Sequence, residues 1–549
     1  MTVTETRPEP AVAVATEPAP ATTAESWFTT SDHKKIGLLF LAGSLLFLLI
    51  GTGLGVVLRG ELSEPGVQIV GGEFDRLFSM HATVMMLLFL APAWVGLATY
   101  LVPLQIGSGR VALPRLHAAA FWTYLAGGGL IVASYIVGPV GPPGSAGLSL
   151  ATPMVANGAA NHATLLWIGG LMVLALATIA AAVSILTTVV MLRTDGMTFL
   201  RVPAFSWASM ITSAILLLST PVFMAGLVLL FIDERFSGGF FGAGGATAVW
   251  MHTLWLLGRP EIYLLTLPGL GAACDMVATH ARRGLLSHVG ALVMLALFGA
   301  LSLASWAAGV HTGRAVVLPT YTVGTALVAL PIALLVLMWL GTVQQGRVRL
   351  HISLLFVAGF VLLLATGAVN AIVAAFSKVG GPDSAWTTGN LHTVAFGAPT
   401  LLLFGAVYHW APKMWGRSLS VVLGGVTFLL LFGGFFVMGM SSYALGYQGA
   451  PAHVEDLINS KYTSFSRLSA AGGVLIALGV IVFIIDLVQS LLRSRGSSAG
   501  DDPYDGLTRE WATTSPPPPY DFDYVPEVRS ETPLVDLRAA RAATNGGGR

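Results

Sequence analysis

Twelve stretches of this chain are apolar over a length that crosses a lipid bilayer, and no other feature limits its fold as much. They fall at about 36–58, 79–103, 117–139, 162–191, 204–232, 246–277, 285–309, 316–343, 350–376, 386–411, 420–446 and 466–492. A hydrocarbon core of about 30 Å needs about 20 helical residues to span it. Lipid offers no partner for backbone N–H and C=O groups, so each segment must satisfy its own, as a helix does; segments this long do not suit a barrel. The expected class is all-α: a polytopic integral membrane bundle of about twelve transmembrane helices.

Charge agrees with that class. Only 10% of the 549 residues are charged, against about 25% in soluble domains, so the lipid bilayer is the main partner. A formal net charge of +1, with no basic tract interleaved with aromatics, gives no reason to expect nucleic acid. The single cysteine, Cys274, excludes an internal disulfide, a thiolate cluster and a two-cysteine copper site within the chain.

The ends read differently from the middle. Residues 1–28 are rich in Ala, Pro, Thr and Glu and read as a disordered tail, acidic and without the apolar core of a secretory signal. Residues 29–496 form the transmembrane domain. Residues 497–549, with the run Pro516–Pro519, read as a second disordered, Pro-rich tail.

Basic residues set the expected orientation. Lys34, Lys35, Arg110, Arg115, Arg193, Arg201, Arg282, Arg283, Arg347, Arg349, Lys413, Arg417, Arg493 and Arg495 flank alternate connections on one side, and the other side is poorer. The positive-inside rule then places both termini in the cytoplasm.

In that orientation the second and tenth helices run the same way, from outside inward, and each carries a histidine near its start: His81 and His392. An ionisable residue at membrane depth is costly and marks a functional site by default. Two imidazoles at one depth could ligate a flat iron porphyrin from its two faces. The plainer alternative is that each bonds a neighbouring helix. The residues alone leave both open.

The surrounding motifs carry a resemblance. Phe78–Phe89 (FSMHATVMMLLF) followed by Val102–Gly107 (VPLQIG) and Pro114-Arg115-Leu116 is similar to the second helix of cytochrome c oxidase subunit I. Ser184–Thr188, Gly196–Thr198 and Val202-Pro203 resemble that family's helix 4–5 connection. Trp255–Tyr263, Leu267–Gly271 and His409–Pro412 resemble its helix 6 and helix 10 exit. The likeness to the haem-copper oxidase subunit I family runs in order over about residues 30–490. It implies that His81 and His392 are the axial ligands of a low-spin haem. Arg59 matches the arginine that meets the haem formyl group, which favours haem A, although haem B suits the same ligands.

The same resemblance marks what is missing. The family's helix 6 copper histidine corresponds to Arg259 here, its paired helix 7 histidines to Ala308 and Gly309, and the proximal histidine of its high-spin haem to Asn390. A guanidinium stays protonated and cannot ligate; alanine and glycine offer no donor, and an asparagine amide is a poor one for haem iron. His311 and His252 are weak stand-ins. The proton routes are altered too: Arg110, Thr99 and Leu335 stand where the family has a carboxylate, an asparagine and a lysine, and Ala452 and His453 where it has paired arginines. Glu261 and Tyr263 remain, and Asp383 persists beside Pro382. Arg259 is expected to pair with Glu261, two residues away across Pro260, or else to bond carbonyls freed by that proline.

Three functions follow. The first is a degenerate member that keeps one low-spin haem, holds no copper, and serves electron transfer, redox sensing or assembly rather than oxygen chemistry. The second is a working proton-pumping oxidase with an unrecognised centre. The third is a haem-free structural or transport subunit. Subunit II- or III-like membrane partners are expected from the resemblance alone. On this reading the chain is not itself an enzyme.

Overall fold

The computed structural model describes residues 27–70, 73–138, 162–236, 238–241, 253, 265–310, 318–377, 384–451, 460–492, 498–522 and 527–546. Helices dominate, and the only sheet-like pairing among the described residues is one isolated bridge, Ser384 to Pro451. In chain order they are α1 (His33–Glu61), α2 (Arg76–Ile106), α3 (Pro114–Val137), α4 (His162–Met191), α5 (Ala204–Phe236), α6 (Leu267–Ala281), α7 (His288–Val310), α8 (Leu318–Gln345), α9 (Ile352–Ser377), α10 (Ala385–Trp415), α11 (Val421–Tyr447), α12 (Thr463–Leu492) and α13 (Pro533–Gly546). Ten helices among the described residues are long and apolar enough to cross a membrane. The two remaining expected spans are represented by α6, the described part of one, and by α7.

Local chemistry sets several boundaries. Asp32 caps α1 by accepting the Lys34 backbone N–H at 2.9 Å, and Ser420 caps α11 through Leu423 N at 3.3 Å. Gly107 and Gly416, both at φ 77°, end α2 and α10 in the left-handed region.

Helices associate in lipid by close van der Waals packing, which small residues allow. A Cβ at Gly37 of α1 would lie 2.8 Å from the Gly96 carbonyl of α2, and one at Gly434 of α11 2.8 Å from the Gly472 carbonyl of α12. Larger side chains at either crossing would push the pair apart.

One expectation is overturned. The segment after residue 497 is not an unpacked tail over its described residues. Residues 498–522 and 527–546 form a cap across one end of the bundle, with a 3-10 turn at Arg509–Ala512 and the helix α13. The reason is aromatic and aliphatic content within a polar, Pro-rich frame: Tyr504, Trp511, Val528 and Leu534 are all buried. Backbone bonds tie the cap down, Ala499 N to Gly416 O at 3.0 Å and Val528 N to Asp195 O at 3.0 Å. Residues 1–26 lie outside the described part.

Candidate functional site

Helices α2 and α10 carry the two histidines, and both are irregular in the same way. Each contains a π-helical stretch, Val84–Leu90 in α2 and Leu391–Gly397 in α10. Each stretch is followed within two residues by a proline, Pro92 and Pro399. Proline brings no N–H, and its ring crowds the carbonyl four residues back, which opens the helical ladder. The carbonyl that Pro92 leaves without its bond, at Leu88, accepts the Tyr124 hydroxyl of α3 at 2.7 Å. π-Bulges of this sort concentrate at functional sites.

The two helices lie side by side and run the same way. Phe89 faces Phe396 with ring centroids 6.2 Å apart. Farther along, the Tyr100 hydroxyl donates to Met414 O at 3.1 Å. His81 and His392 precede this contact on their own helices and lie within electrostatic reach of each other and of Arg59.

Each imidazole is held by one nitrogen. His81 Nδ1 lies 2.8 Å from the Gly51 carbonyl of α1, and His392 Nδ1 lies 2.8 Å from the Thr388 carbonyl one turn earlier in α10. A carbonyl can only accept, so Nδ1 carries the hydrogen and Nε2 keeps its lone pair. Neither Nε2 has a hydrogen-bond partner among the described residues, and both side chains are half-buried. Metal-ligating histidines regularly use their second nitrogen in this way, which fixes the ring and its tautomer. Gly55 makes room for His81: a Cβ there would lie 3.0 Å from its Cε1. These residues fit a bis-imidazole haem. Arg59 sits in the last turn of α1 with its stem against Gly473 of α12, where a Cβ would lie 3.7 Å from Arg59 Cγ.

Asn390 is engaged elsewhere. Tyr443 of α11 donates to its Oδ1 at 3.5 Å and pairs with the Thr393 hydroxyl at 2.8 Å. Thr99 pairs with His117 Nε2 at 2.6 Å, Leu335 is buried, and Arg110 is exposed. Arg259, Glu261, Tyr263, His252, His311, Pro382, Asp383, Ala452 and His453 lie outside the described residues, so the expected Arg259–Glu261 pairing does too. The backbone of Ala308 and Gly309 belongs to α7, but their side chains fall outside the described set. Cys274 is buried and accepts Trp339 Nε1 at 3.3 Å.

Sequence reasoning missed a second cluster, at the capped end. His280 of α6 stacks on His351 at 4.5 Å between centroids and meets His409 Nδ1 of α10 through its Nε2 at 3.1 Å. From the cap, Tyr504 stacks on His409 at 5.3 Å and its hydroxyl lies 3.2 Å from His351 Nε2. Outside the membrane span, burial and the nearby Arg349 hold His351 down at about 4. Aromatic density was the available signal: Tyr504, Trp511, Tyr520, Phe522 and Tyr524 within 21 residues are too many for a typical disordered tail.

Residues 35–475 match the family described as Cytochrome C and Quinol oxidase polypeptide I. The chain is 34% identical to a putative cytochrome c oxidase subunit 1-beta of Streptomyces avermitilis over 517 residues, covering 93% of this chain and 92% of the relative. It is 33% identical over 552 residues to a probable subunit 1-beta of Nocardia farcinica, covering 98% and 93%. It is 32% identical over 518 residues to cytochrome c oxidase subunit 1 of Corynebacterium efficiens, covering 93% and 88%. A solved heme-copper terminal oxidase dimer shares the fold with a TM-score of 0.67 at 15% identity, over 84% of each chain. The protein is a multi-pass bacterial membrane protein and belongs to the cytochrome c oxidase subunit I family.

Proposed function

We propose that this subunit I relative binds one low-spin haem between His81 and His392, holds no copper, and does not reduce oxygen. The observation that carries the reading is the matched pair of imidazoles, each tied through Nδ1 to a carbonyl with Nε2 left for a metal. Haem ligated on both faces offers one-electron exchange and no open coordination position. The chain's own part is to orient the two rings through Gly51 and Thr388. Phe89 and Phe396 pack farther along the same helices, and Arg59 brings positive charge to the site. Haem A is favoured through Arg59, and haem B suits the same ligands.

The loss of oxygen chemistry rests on the sequence at Arg259, Ala308, Gly309 and Asn390, none of which offers an imidazole. Asn390 adds to it, because its amide oxygen takes the Tyr443 hydroxyl. Electron transfer, redox sensing or assembly of a larger complex are the roles open to such a subunit. Electrons would pass through subunit II- or III-like membrane partners, since the chain has no two-cysteine copper site. Both termini, and with them the cap, are assigned to the cytoplasm by the distribution of Lys and Arg.

A reduced-minus-oxidised spectrum with metal analysis of the purified protein tests this. One low-spin haem per chain and no copper is the expected result. Two haems with copper, or cyanide-sensitive oxygen uptake, would make it an active oxidase. Absence of haem would leave a structural or transport subunit.

A further inference from the structure

The capped end of the bundle holds two acidic groups that the haem site does not use. Asp275 of α6 and Glu510 of the cap are both buried, at 7% and 0% exposure. Asp275 accepts Ala204 N on Oδ1 and Phe205 N on Oδ2, each at 3.2 Å, and so caps the start of α5. Gln105 of α2 gives its Nε2 to Asp275 Oδ2 at 3.1 Å and to Glu510 Oε1 at 3.2 Å, so one amide spans both carboxyl groups. Its orientation is set on the other side by Ser206, whose hydroxyl donates to Gln105 Oε1 at 2.6 Å. Glu510 Oε1 also takes the Thr508 hydroxyl at 2.8 Å and Trp410 Nε1 at 3.2 Å. Glu510 Oε2 is buried with no hydrogen-bond partner among the described residues.

No ion pair to either carboxyl is found among the described residues. Lys413 of α10 lies within electrostatic reach of Glu510, but its Nζ is spent on Thr513 O at 2.9 Å, Thr514 O at 3.1 Å and Asp501 O at 3.2 Å. Arg509, next in the chain, lies over the Phe522 ring at 5.9 Å.

We propose that Glu510 and Asp275 form a one-proton site, Glu510 docking as the neutral acid beside an ionised Asp275, so that seating the C-terminal cap takes up a proton. Two carboxylates sharing one buried amide cannot both ionise cheaply. The split between them follows from their partners. Asp275 is buried too, but it distributes three N–H bonds over both oxygens, which favours its charged form relative to that of Glu510. Glu510 concentrates its bonds on Oε1, and a bare charged Oε2 in the interior costs far more than a neutral hydroxyl. Burial pushes the Glu510 carboxyl up from its ordinary value, in the same direction. A docked acid that holds a proton the free segment releases stabilises docking at low pH and loses that stabilisation as pH rises. The cap therefore reports the acidity of the compartment it faces.

Hydrogen exchange of residues 501–522 in the full-length protein, corrected for intrinsic rates, tests this between about pH 6 and about pH 9. Protection should fall by about tenfold or more as pH rises. Glu510→Gln keeps a neutral amide in the same place and should flatten the profile. Asp275→Asn removes the like charge, eases ionisation of the docked Glu510, and should shrink the loss of protection and end it at lower pH. Infrared spectra should show a protonated-carboxyl carbonyl band that Glu510→Gln removes. A flat wild-type profile, or the same slope in Glu510→Gln, or no band lost in that variant, overturns the proposal.

Discussion

The His81 imidazole is seated on α1 by Gly51, whose carbonyl lies 2.8 Å from Nδ1, and is grazed by Gly55, where a Cβ would come within 3.0 Å of Cε1. The first contact fixes the direction in which Nε2 points, and the second gives the ring space that a side chain at position 55 would take.

Gly55→Val follows directly. The two added methyl groups meet the imidazole ring and displace its Nε2. Supporting contacts of a metal-binding histidine are worth about 10- to 100-fold in metal affinity. Haem content per folded protein should fall by about tenfold, with the helical content unchanged. Pyridine haemochrome quantitation against circular dichroism checks it. Unchanged haem content in a folded variant would show that His81 is not a ligand.

Much of this arrangement was legible in the sequence, for a physical reason. Lipid demands uninterrupted apolar runs, and a charged-residue scarcity that deep leaves helices as the only economical reading. His81 and His392 stood out because imidazole at membrane depth is rare, and the shared direction of α2 and α10, borne out by the Phe89–Phe396 and Tyr100–Met414 contacts, follows from counting spans. The π-helical stretches were not foreseen, although Pro92 and Pro399 mark them. The cap was misjudged because proline and charge outvoted Tyr504 and Trp511 in a composition average, while burial is decided residue by residue. The pairing of Glu510 with Asp275 joins positions 235 residues apart through Gln105, and no spacing rule reaches that far.

Tyr443→Phe probes the surroundings of Asn390. The hydroxyl pairs with Thr393 at 2.8 Å and donates to Asn390 at 3.5 Å, and the Tyr443 side chain is buried. Its removal leaves the Asn390 amide short of a donor, at a cost of about 1–2 kcal/mol. The low-spin haem spectrum should be unchanged, because neither Nδ1 contact involves Tyr443. Thermal melting and the haem spectrum, measured together, separate the two effects; a lost haem signal at full stability would instead tie Tyr443 to the haem.

Asp521→Asn tests the anchor that joins the cap to α1. Asp521 is buried at φ 63°, a conformation asparagine also tolerates. Its carboxylate takes His33 Nε2 at 2.8 Å and Lys34 Nζ at 2.5 Å. The amide keeps one acceptor and loses the charge, leaving Lys34 with Asp32 at 3.2 Å and the Pro519 carbonyl at 3.4 Å. Weakening a charge-assisted hydrogen bond of this kind costs about 1.5–3 kcal/mol. Protease sensitivity of the C-terminal segment should rise while the transmembrane core keeps its melting behaviour. Equal protection in variant and wild type would show that Lys34 does not hold the cap.

Acid should open the cap by a second route. His351 stacks on His280, accepts or donates to the Tyr504 hydroxyl at 3.2 Å, and is held at about 4 by burial and Arg349. Its folded value lies below the ordinary value of about 6.5, so the released state binds a proton that the docked state excludes. Stability from this group is complete above about pH 6.5 and is lost as pH falls toward about 4. A proton on His351 would be buried beside the Arg349 guanidinium. Glu510 opposes this over the same range, because its docked proton stabilises the cap as pH falls, so the His351 contribution is read with Glu510 replaced. In the Glu510→Gln background, which removes the opposing titration, His351→Gln keeps a polar partner for Tyr504 without a titrating ring, and its exchange protection over residues 498–510 should stay level between about pH 6.5 and about pH 4, where Glu510→Gln alone declines. A double variant that declines in parallel with Glu510→Gln would place the acid sensitivity elsewhere in the cap.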